Sequence, residues 1–356
     1  MGICAFLSQR RALLPHFDDP GRRRLTLICK CQSEPQDIKV ASPKLFVFGL
    51  GYTGKGLAKL SLGKGWDVAG TCRTLEGSRR LLQYEGIQAF PFDPNAGASL
   101  SPQAIDTLHC STHILSSIPP ADGTADPVLA MVGSELQSCA SVTGLAQWVG
   151  YLSSTGVYGD WQGDWVDETS ELRATQGKGY ARILAEAAWR QMWEEHKVPV
   201  HIFRLGGIYG PGRSALDAVA QQPGQASRNQ RRRAQKCFTA RSHVYDICQA
   251  LMASMECPRP GAVYNIVDDD PASRAEVMAY AEQLLTGRPA PAAVLSTPEA
   301  SSSSAADASA LGPQLEEKRV SNDLIKKELG FRLSFPTYRE GLADIHSRDK
   351  QSPHSF

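Results

Sequence analysis

The sequence predicts an α/β fold built on a doubly wound parallel sheet, and three observations carry that reading. Strand-like and helix-like patterns alternate from Lys44 to Gly210. A glycine run with G-x-G-x-x-G spacing follows the first strand directly. The last of those glycines opens a helix pattern, the context that makes such spacing specific for a dinucleotide. Repeated strand–helix units with short connections give a parallel sheet covered on both faces.

The elements follow in order. "KLFVFG" is a short buried strand, "GKGLAKLSLGKG" a helix closed by glycine, and "WDVAGTCRT" a second strand. "EGSRRLLQYEG" is a helix and "IQAFPFD" a third strand. "THILSSIPP" is a fourth strand, stopped by Pro119 and Pro120, and "AQWVGYLSST" holds a fifth. "YARILAEAAWRQMWEEH" reads as a long helix and "VHIFRLGGIYG" as a sixth strand. Six strands with the glycine run after the first define a Rossmann-type sheet. Beyond Gly212 the alternation weakens, with helices at "RSALDAVAQQ", "SHVYDICQALMAS", "SRAEVMAYAEQLL" and "VSNDLIKKELGF" and a strand at "AVYNIVDDD".

This division gives an NAD(P)-binding domain over residues 43–212 and a smaller C-terminal substrate lobe over 213–345, interleaved with it. The lobe contains a stretch at about 288–313, "RPAPAAVLSTPEASSSSAADASALG", too poor in large apolar residues to pack and expected to be a disordered loop. Residues 346–356 are expected to be a flexible tail.

Bulk composition excludes several classes. The 356 residues are 42% hydrophobic and 21% charged, with a formal net charge of +1, so nothing global favours nucleic acid or a membrane surface. No apolar run approaches the roughly 18 to 20 residues of a membrane span. Nine scattered cysteines without a CxxC pair argue against a disulfide framework and against a zinc site. Residues 1–40 hold seven Lys or Arg against four Asp or Glu, which leaves a net −2 for the remainder. An Arg-rich leader of this kind reads as a transit peptide into an organelle, the chloroplast stroma being the suspected destination. A plain extension on a cytoplasmic protein is the alternative.

In the glycine run, Gly49 allows the tight turn, Gly51 lets a pyrophosphate approach the backbone, and Gly54 lets the helix pack closely on its strand. Tyr52 and Thr53 between them, and Ile118 and Pro119 at the end of the fourth strand, are expected to line the same cofactor. NAD sites place an acid at the end of the second strand, about 20 residues on, for the ribose 2′-hydroxyl. Here that end reads Thr71-Cys72-Arg73-Thr74, so Arg73 is free to hold a 2′-phosphate and NADP is preferred over NAD. Asp93, ending the third strand, is a candidate acceptor for the adenine amino group or else a helix cap.

Three further segments, Ser153–Gly159 ("SSTGVYG"), Arg204–Gly212 ("RLGGIYGPG") and Arg241–Asp246 ("RSHVYD"), resemble the extended short-chain dehydrogenase/reductases, the NAD-dependent epimerase/dehydratase group. The resemblance covers roughly Leu45 to Leu342. It implies that Ser154 hydrogen-bonds a substrate oxygen and that Tyr180 gives or takes the proton in hydride transfer. In that family a Lys follows the Tyr by four residues; here the position is Leu184. Lys178 and Arg182, two residues either side of Tyr180, fall on the other side of a regular helix. Without a cation beside it, a Tyr of pKa about 10 is ionised only about one part in a thousand at pH 7. The chain is therefore an atypical member of the resembled family.

Two functions stay open: an NADP-dependent oxidoreductase or epimerase acting on a small carbonyl or sugar-like substrate, and a catalytically degenerate NAD(P)-sensing or scaffold protein for which RNA or a protein is the candidate partner. Arg231, Arg232 and Arg233 form a basic run, but the negative body and the lack of a nearby aromatic platform make nucleic acid an unfavoured partner. His243 and Asp246 are expected to cap and anchor a helix, and Asp268, Asp269 and Asp270 to form a solvated turn.

Overall fold

The computed structural model describes residues 42–120, 125–221, 236–288 and 316–351. The expected transit peptide, the Arg231–Arg233 run and nearly all of the 288–313 stretch lie outside the described residues.

The first strand shows how composition becomes architecture. In β1 (Lys44–Phe48) side chains alternate across the sheet. Leu45 and Val47 enter one apolar cluster, and Phe46 and Phe48 enter another on the opposite face. All four are buried, as expected for a parallel strand covered on both sides. The chain then runs through α1 (Tyr52–Gly63), β2 (Asp67–Cys72), α2 (Leu75–Glu85), β3 (Gln88–Pro91), α3 (Pro102–His109), β4 (His113–Ser116), α4 (Pro127–Ser141) and β5 (Trp148–Ser154). It continues with β6 (Trp165–Val166), α5 (Gly177–His196), β7 (Val200–Leu205), β8 (Gly207–Tyr209), α6 (Ala215–Ala220) and β9 (Arg241–His243). The last described elements are α7 (Val244–Glu256), β10 (Val263–Ile266), α8 (Arg274–Thr286), β11 (Arg319–Val320), α9 (Asp323–Leu329) and α10 (Tyr338–Gln351).

Seven parallel strands form the central sheet in the order β10-β7-β5-β4-β1-β2-β3. This is the doubly wound α/β sheet that the sequence predicts. The strand order reverses beside β1, so the carboxyl ends of β1 and β4 flank the topological switch point where such sheets bind ligands. Two small parallel pairs, β6 with β11 and β8 with β9, stand outside the sheet.

Three details differ from the sequence reading. The seventh strand, β10, comes from the C-terminal half, and Cys248, Leu251 and Met252 of α7 share the cluster of Leu57 and Ala58 of α1. Residues from both sides of Gly212 therefore share one continuous core. Helices α3 and α4 stand where the sequence pattern predicts no element. Each carries a start signal, Ser101-Pro102 and Asp126-Pro127, in which the cap side chain accepts backbone N–H groups and proline sits just inside the helix. Finally, α10 runs through the residues expected to open a tail and ends at Gln351, because Tyr338, Leu342 and Ile345 bury one face of it.

Candidate functional site

The loop between β1 and α1 has the geometry the glycines require. Gly49 sits at φ +88°, and a Cβ there would lie 2.9 Å from Ile118 Cγ1 and 3.0 Å from Ser117 Oγ. At Gly54 a Cβ would fall 2.5 Å from the Gly49 carbonyl oxygen. Over Gly51 the space is open, with nothing within 4 Å of a Cβ position. Gly51 is also the N-cap of α1, without a side chain on the free N–H groups and without an acid in the first turn. Open space, unclaimed N–H donors and the positive end of a helix together fit a pyrophosphate. The loop is held from below by Gly49 N donating to Thr71 Oγ1 at 3.0 Å, and by Ser117 Oγ donating to the Gly49 carbonyl at 2.6 Å.

The other expected cofactor residues fall around it. Tyr52 donates its hydroxyl to the Pro211 carbonyl at 2.9 Å, tying the glycine loop to the loop after β8. Burial pushes that hydroxyl up to about 12, against the pull of Arg213. Thr53 is buried at the start of α1, beside Gly54. Ile118 packs on Gly49, and Pro119 is exposed just beyond it. Arg73 is exposed immediately past β2 and forms no ion pair among the described residues. Asp93 is half-buried after β3, and its carbonyl accepts from Ala96 N and Ala98 N.

From this loop a cleft of about 980 Å³ runs across the carboxyl ends of β5 and β7 to α6, α8 and α10. Among the described residues, six cationic side chains line it: Arg182, Arg213, Lys236, Arg241, Arg274 and Lys318. Two acids, Asp217 and Glu316, do so as well. The Asp217 carboxylate is committed to a capping box with Ser214 at the start of α6. The cleft is thus cationic.

Ser154 lines this cleft, where its hydroxyl also accepts from Gly156 N at 3.1 Å and caps the turn 155–158. Tyr180 is not among the cleft-lining residues. The buried face of α5 is set by Ala181, Ala185, Trp189 and Met192, at intervals of four, four and three. Tyr180 and Leu184 each precede a buried position by one residue, about 100° round the helix, and are 42% and 40% exposed. Among the described cleft-lining residues, α5 contributes Arg182. Its guanidinium donates to the Leu152 carbonyl and interacts with the Tyr151 hydroxyl.

Below Ser154 lies a buried polar network that the sequence does not reveal. Glu186 of α5 and Arg204 of β7 are 1% and 2% exposed and meet at 2.8 Å. Glu186 also accepts from Ser153 Oγ. Arg204 donates to Tyr158 Oη at 3.0 Å, and that hydroxyl donates to Asn265 Oδ1 at 2.8 Å. Burial works against the Arg204 charge, but the Glu186 hydrogen bonds and charge outweigh it and hold the guanidinium more firmly protonated than usual. The network pins α5, β5, β7 and β10 together under the turn that carries Ser154.

At the far wall, Arg241 donates to the Thr239 and Ala272 carbonyls, each at 2.8 Å. Asp268 is a correction to the solvated turn expected for the acid triplet. It is 5% exposed, and burial raises its carboxyl well above the usual range despite Arg241 nearby. Asp269 and Asp270 instead pair with Lys326 at 2.6 Å and Arg339 at 2.7 Å. His243 and Asp246 take the expected roles. His243 Nδ1 accepts from Tyr245 N at 3.2 Å, and Asp246 accepts from Ser334 N and Phe335 N.

The arrangement defines a class: a doubly wound parallel sheet with a dinucleotide cradle opening into a cationic cleft at its carboxyl edge. The chain belongs to the NAD dependent epimerase/dehydratase family, whose pattern it matches over residues 45–267. It is 35% identical to a solved structure of a functionally unknown conserved protein from Silicibacter pomeroyi DSS, which covers 87% of this chain and 100% of that one with a TM-score of 0.67. It is 27% identical over 227 residues to protein YeeZ of Escherichia coli K12, covering 63% of this chain and 77% of YeeZ. The dTDP-glucose 4,6-dehydratase of Bacillus anthracis, solved in complex with NAD, shares the fold. That likeness covers 87% of this chain and 97% of the dehydratase, with a TM-score of 0.63 and 14% identity.

Proposed function

We propose that this protein is an NADP-preferring oxidoreductase or epimerase acting on a small, anionic carbonyl or sugar-like substrate. The observation that carries the reading is the continuity of the site: the open glycine cradle leads directly into a cleft lined by six cationic side chains and Ser154. Gly49, Gly51 and Gly54 hold the pyrophosphate, with Tyr52, Thr53 and Ile118 around it. Arg73 at the end of β2 holds the 2′-phosphate, a role supported by its exposure and its lack of an ion pair among the described residues. Asp93 is the proposed partner of the adenine. When bound, the nicotinamide supplies or accepts a hydride at a substrate carbon. Ser154 orients the substrate oxygen, and Arg213, Arg241 and Arg274 attract its negative groups. A cationic cleft with low-dielectric walls also raises the local concentration of an anion.

Calorimetric titration tests the cofactor reading. NADPH is expected to bind more tightly than NADH, and Arg73→Asp to reverse the order. Equal affinities in the native chain would sink the NADP assignment. A second reading, a protein that senses the cofactor without turning it over, draws support from Leu184 at the position of the family's Lys and from the 42% exposure of Tyr180. A screen of anionic carbonyls for oxidation of bound NADPH separates the two. The Arg-rich leader supports residence in the chloroplast stroma, and imaging of a full-length fluorescent fusion in plant cells tests it.

A further inference from the structure

We propose that Lys318 is the proton-exchanging group of this cleft, acting at the oxygen of the substrate. The proposal rests on the oxidoreductase reading above and adds a proton-exchanging group from among the cleft-lining residues, which do not include Tyr180.

The described side chains that line the cleft leave few candidates. Four of the lining cations, Arg182, Arg213, Arg241 and Arg274, carry a guanidinium, a group that binds anions rather than relaying protons. The Tyr52 hydroxyl is committed to the Pro211 carbonyl, and Tyr209 and Tyr338 are 8% and 1% exposed with burial raising both phenols. Asp217 is held in its capping box. Lys236 is half-buried and donates to the Glu316 carbonyl, and Glu316 itself is exposed.

Lys318 differs in placement. It enters the cleft from the segment before β11, which is fastened on both sides. Trp161 N donates to the Glu317 carbonyl at 2.8 Å, and Arg319 Nε donates to the Gly163 carbonyl at 2.7 Å. The ammonium donates to the Gly159 carbonyl at 2.6 Å, which leaves two N–H directions for a ligand. Ser154 caps one end of the turn 155–158 and Lys318 holds the other, and both face the same cleft. Burial lowers Lys318 to about 8, opposed by the charges of Glu316 and Asp160 and aided by Lys236. A group titrating there carries both protonation states near neutral pH, the condition for efficient general acid–base work.

A bound nicotinamide would supply or accept the hydride at the substrate carbon. Lys318 acts at the oxygen: in the reducing direction its ammonium gives the proton and solvent reprotonates the amine, and in the oxidising direction the neutral amine takes the hydroxyl proton.

The test has two arms on the full chain. In the first, pyridoxal 5′-phosphate, an anionic aldehyde, forms an imine with neutral amines with loss of water, and borohydride reduces it to a stable label. Peptide mass spectrometry is expected to find Lys318 labelled ahead of Lys44 and Lys55, half-maximally near pH 8. Lys318→Met abolishes that label. Labelling of Lys318 no faster than Lys44, or with an ordinary lysine titration, overturns the proposal. In the second arm, NADPH oxidation with glyceraldehyde 3-phosphate and related anionic carbonyls is followed from pH 6 to 9. Activity is expected below about pH 8 and to fall above it. Lys318→Arg, which keeps the charge, is expected to lose about 10²–10³-fold in kcat and the alkaline limb with it. Wild-type turnover in Lys318→Arg overturns the proposal. NADPH titration of the native chain reports separately on the cofactor reading, so its failure is distinguishable from failure of the Lys318 arms.

Discussion

Replacing Glu186 by Gln keeps the shape of the side chain and removes its charge from a site where Arg204 is 2% exposed. Arg204 makes three hydrogen bonds to that carboxylate, at 2.8, 3.1 and 3.2 Å. Leaving one member of such a buried pair without its counter-charge costs about 3–5 kcal/mol. A domain of roughly 300 residues has an unfolding entropy of about 0.6 kcal/mol/K, taking about 2.1 cal/mol/K per residue. The expected fall in Tm is therefore about 5–8 °C, read by scanning calorimetry at neutral pH. Because Ser153 donates to the same carboxylate, the turn at Ser154 loosens with it, and affinity for cleft ligands falls alongside stability. Replacing both partners, Glu186→Leu with Arg204→Met, removes the unpaired charge and is expected to recover most of the loss. A Tm for Glu186→Gln within 1 °C of the native chain would refute the reasoning, as would a double variant less stable than the single one.

Three more outcomes are expected. Gly54→Ala drives a Cβ to 2.5 Å from the Gly49 carbonyl, so the loop must shift at a cost of about 1–3 kcal/mol, and NADPH affinity measured by fluorescence titration falls at least tenfold. Arg182→Met removes the only α5 cation among the described cleft-lining residues and weakens NADPH binding, whereas Tyr180→Phe, outside the cleft, leaves it within twofold; equal effects of the two would contradict the placement. Burial lowers His113, His201 and His243 to about 4, below the ordinary 6.5, so the stability held in their neutral forms is present above pH 6.5 and is lost as pH falls toward 4. Burial raises Asp126, Asp246 and Asp268, which oppose this trend, so the measurement is the difference in Tm against pH between the native chain and His201→Gln, which flattens the acid slope.

Features that depend on neighbours in the chain are legible in its letters. The buried run at Leu45–Phe48, the three glycines and Arg73 at the second strand's end are of this kind, and each stands where the letters put it. The starts at Ser101-Pro102 and Asp126-Pro127 are equally local. They are easily missed because α3 has only eight residues and α4 is kinked at Val132, so neither sustains an apolar period. Features of longer range leave no such mark. Glu186 and Arg204 are ordinary charged letters until α5 is laid on β7, and Lys318 follows a low-complexity stretch that gives no sign of a site. Tyr180 shows the converse: a motif position assigned by spacing is 42% exposed and is not among the cleft-lining residues, while the apolar face of α5 runs through Ala181, Ala185 and Trp189.

The sequence by itself determined the cradle. Glycine's freedom at φ +88°, the missing Cβ over the phosphate position and the alternation of strands are properties of adjacent residues. Only the tertiary structure decided what faces the cradle. Which side of α5 turns inward is set by packing against strands distant in the chain, and the hydrogen bonds that fasten the segment before β11 bring Lys318 to the same cleft.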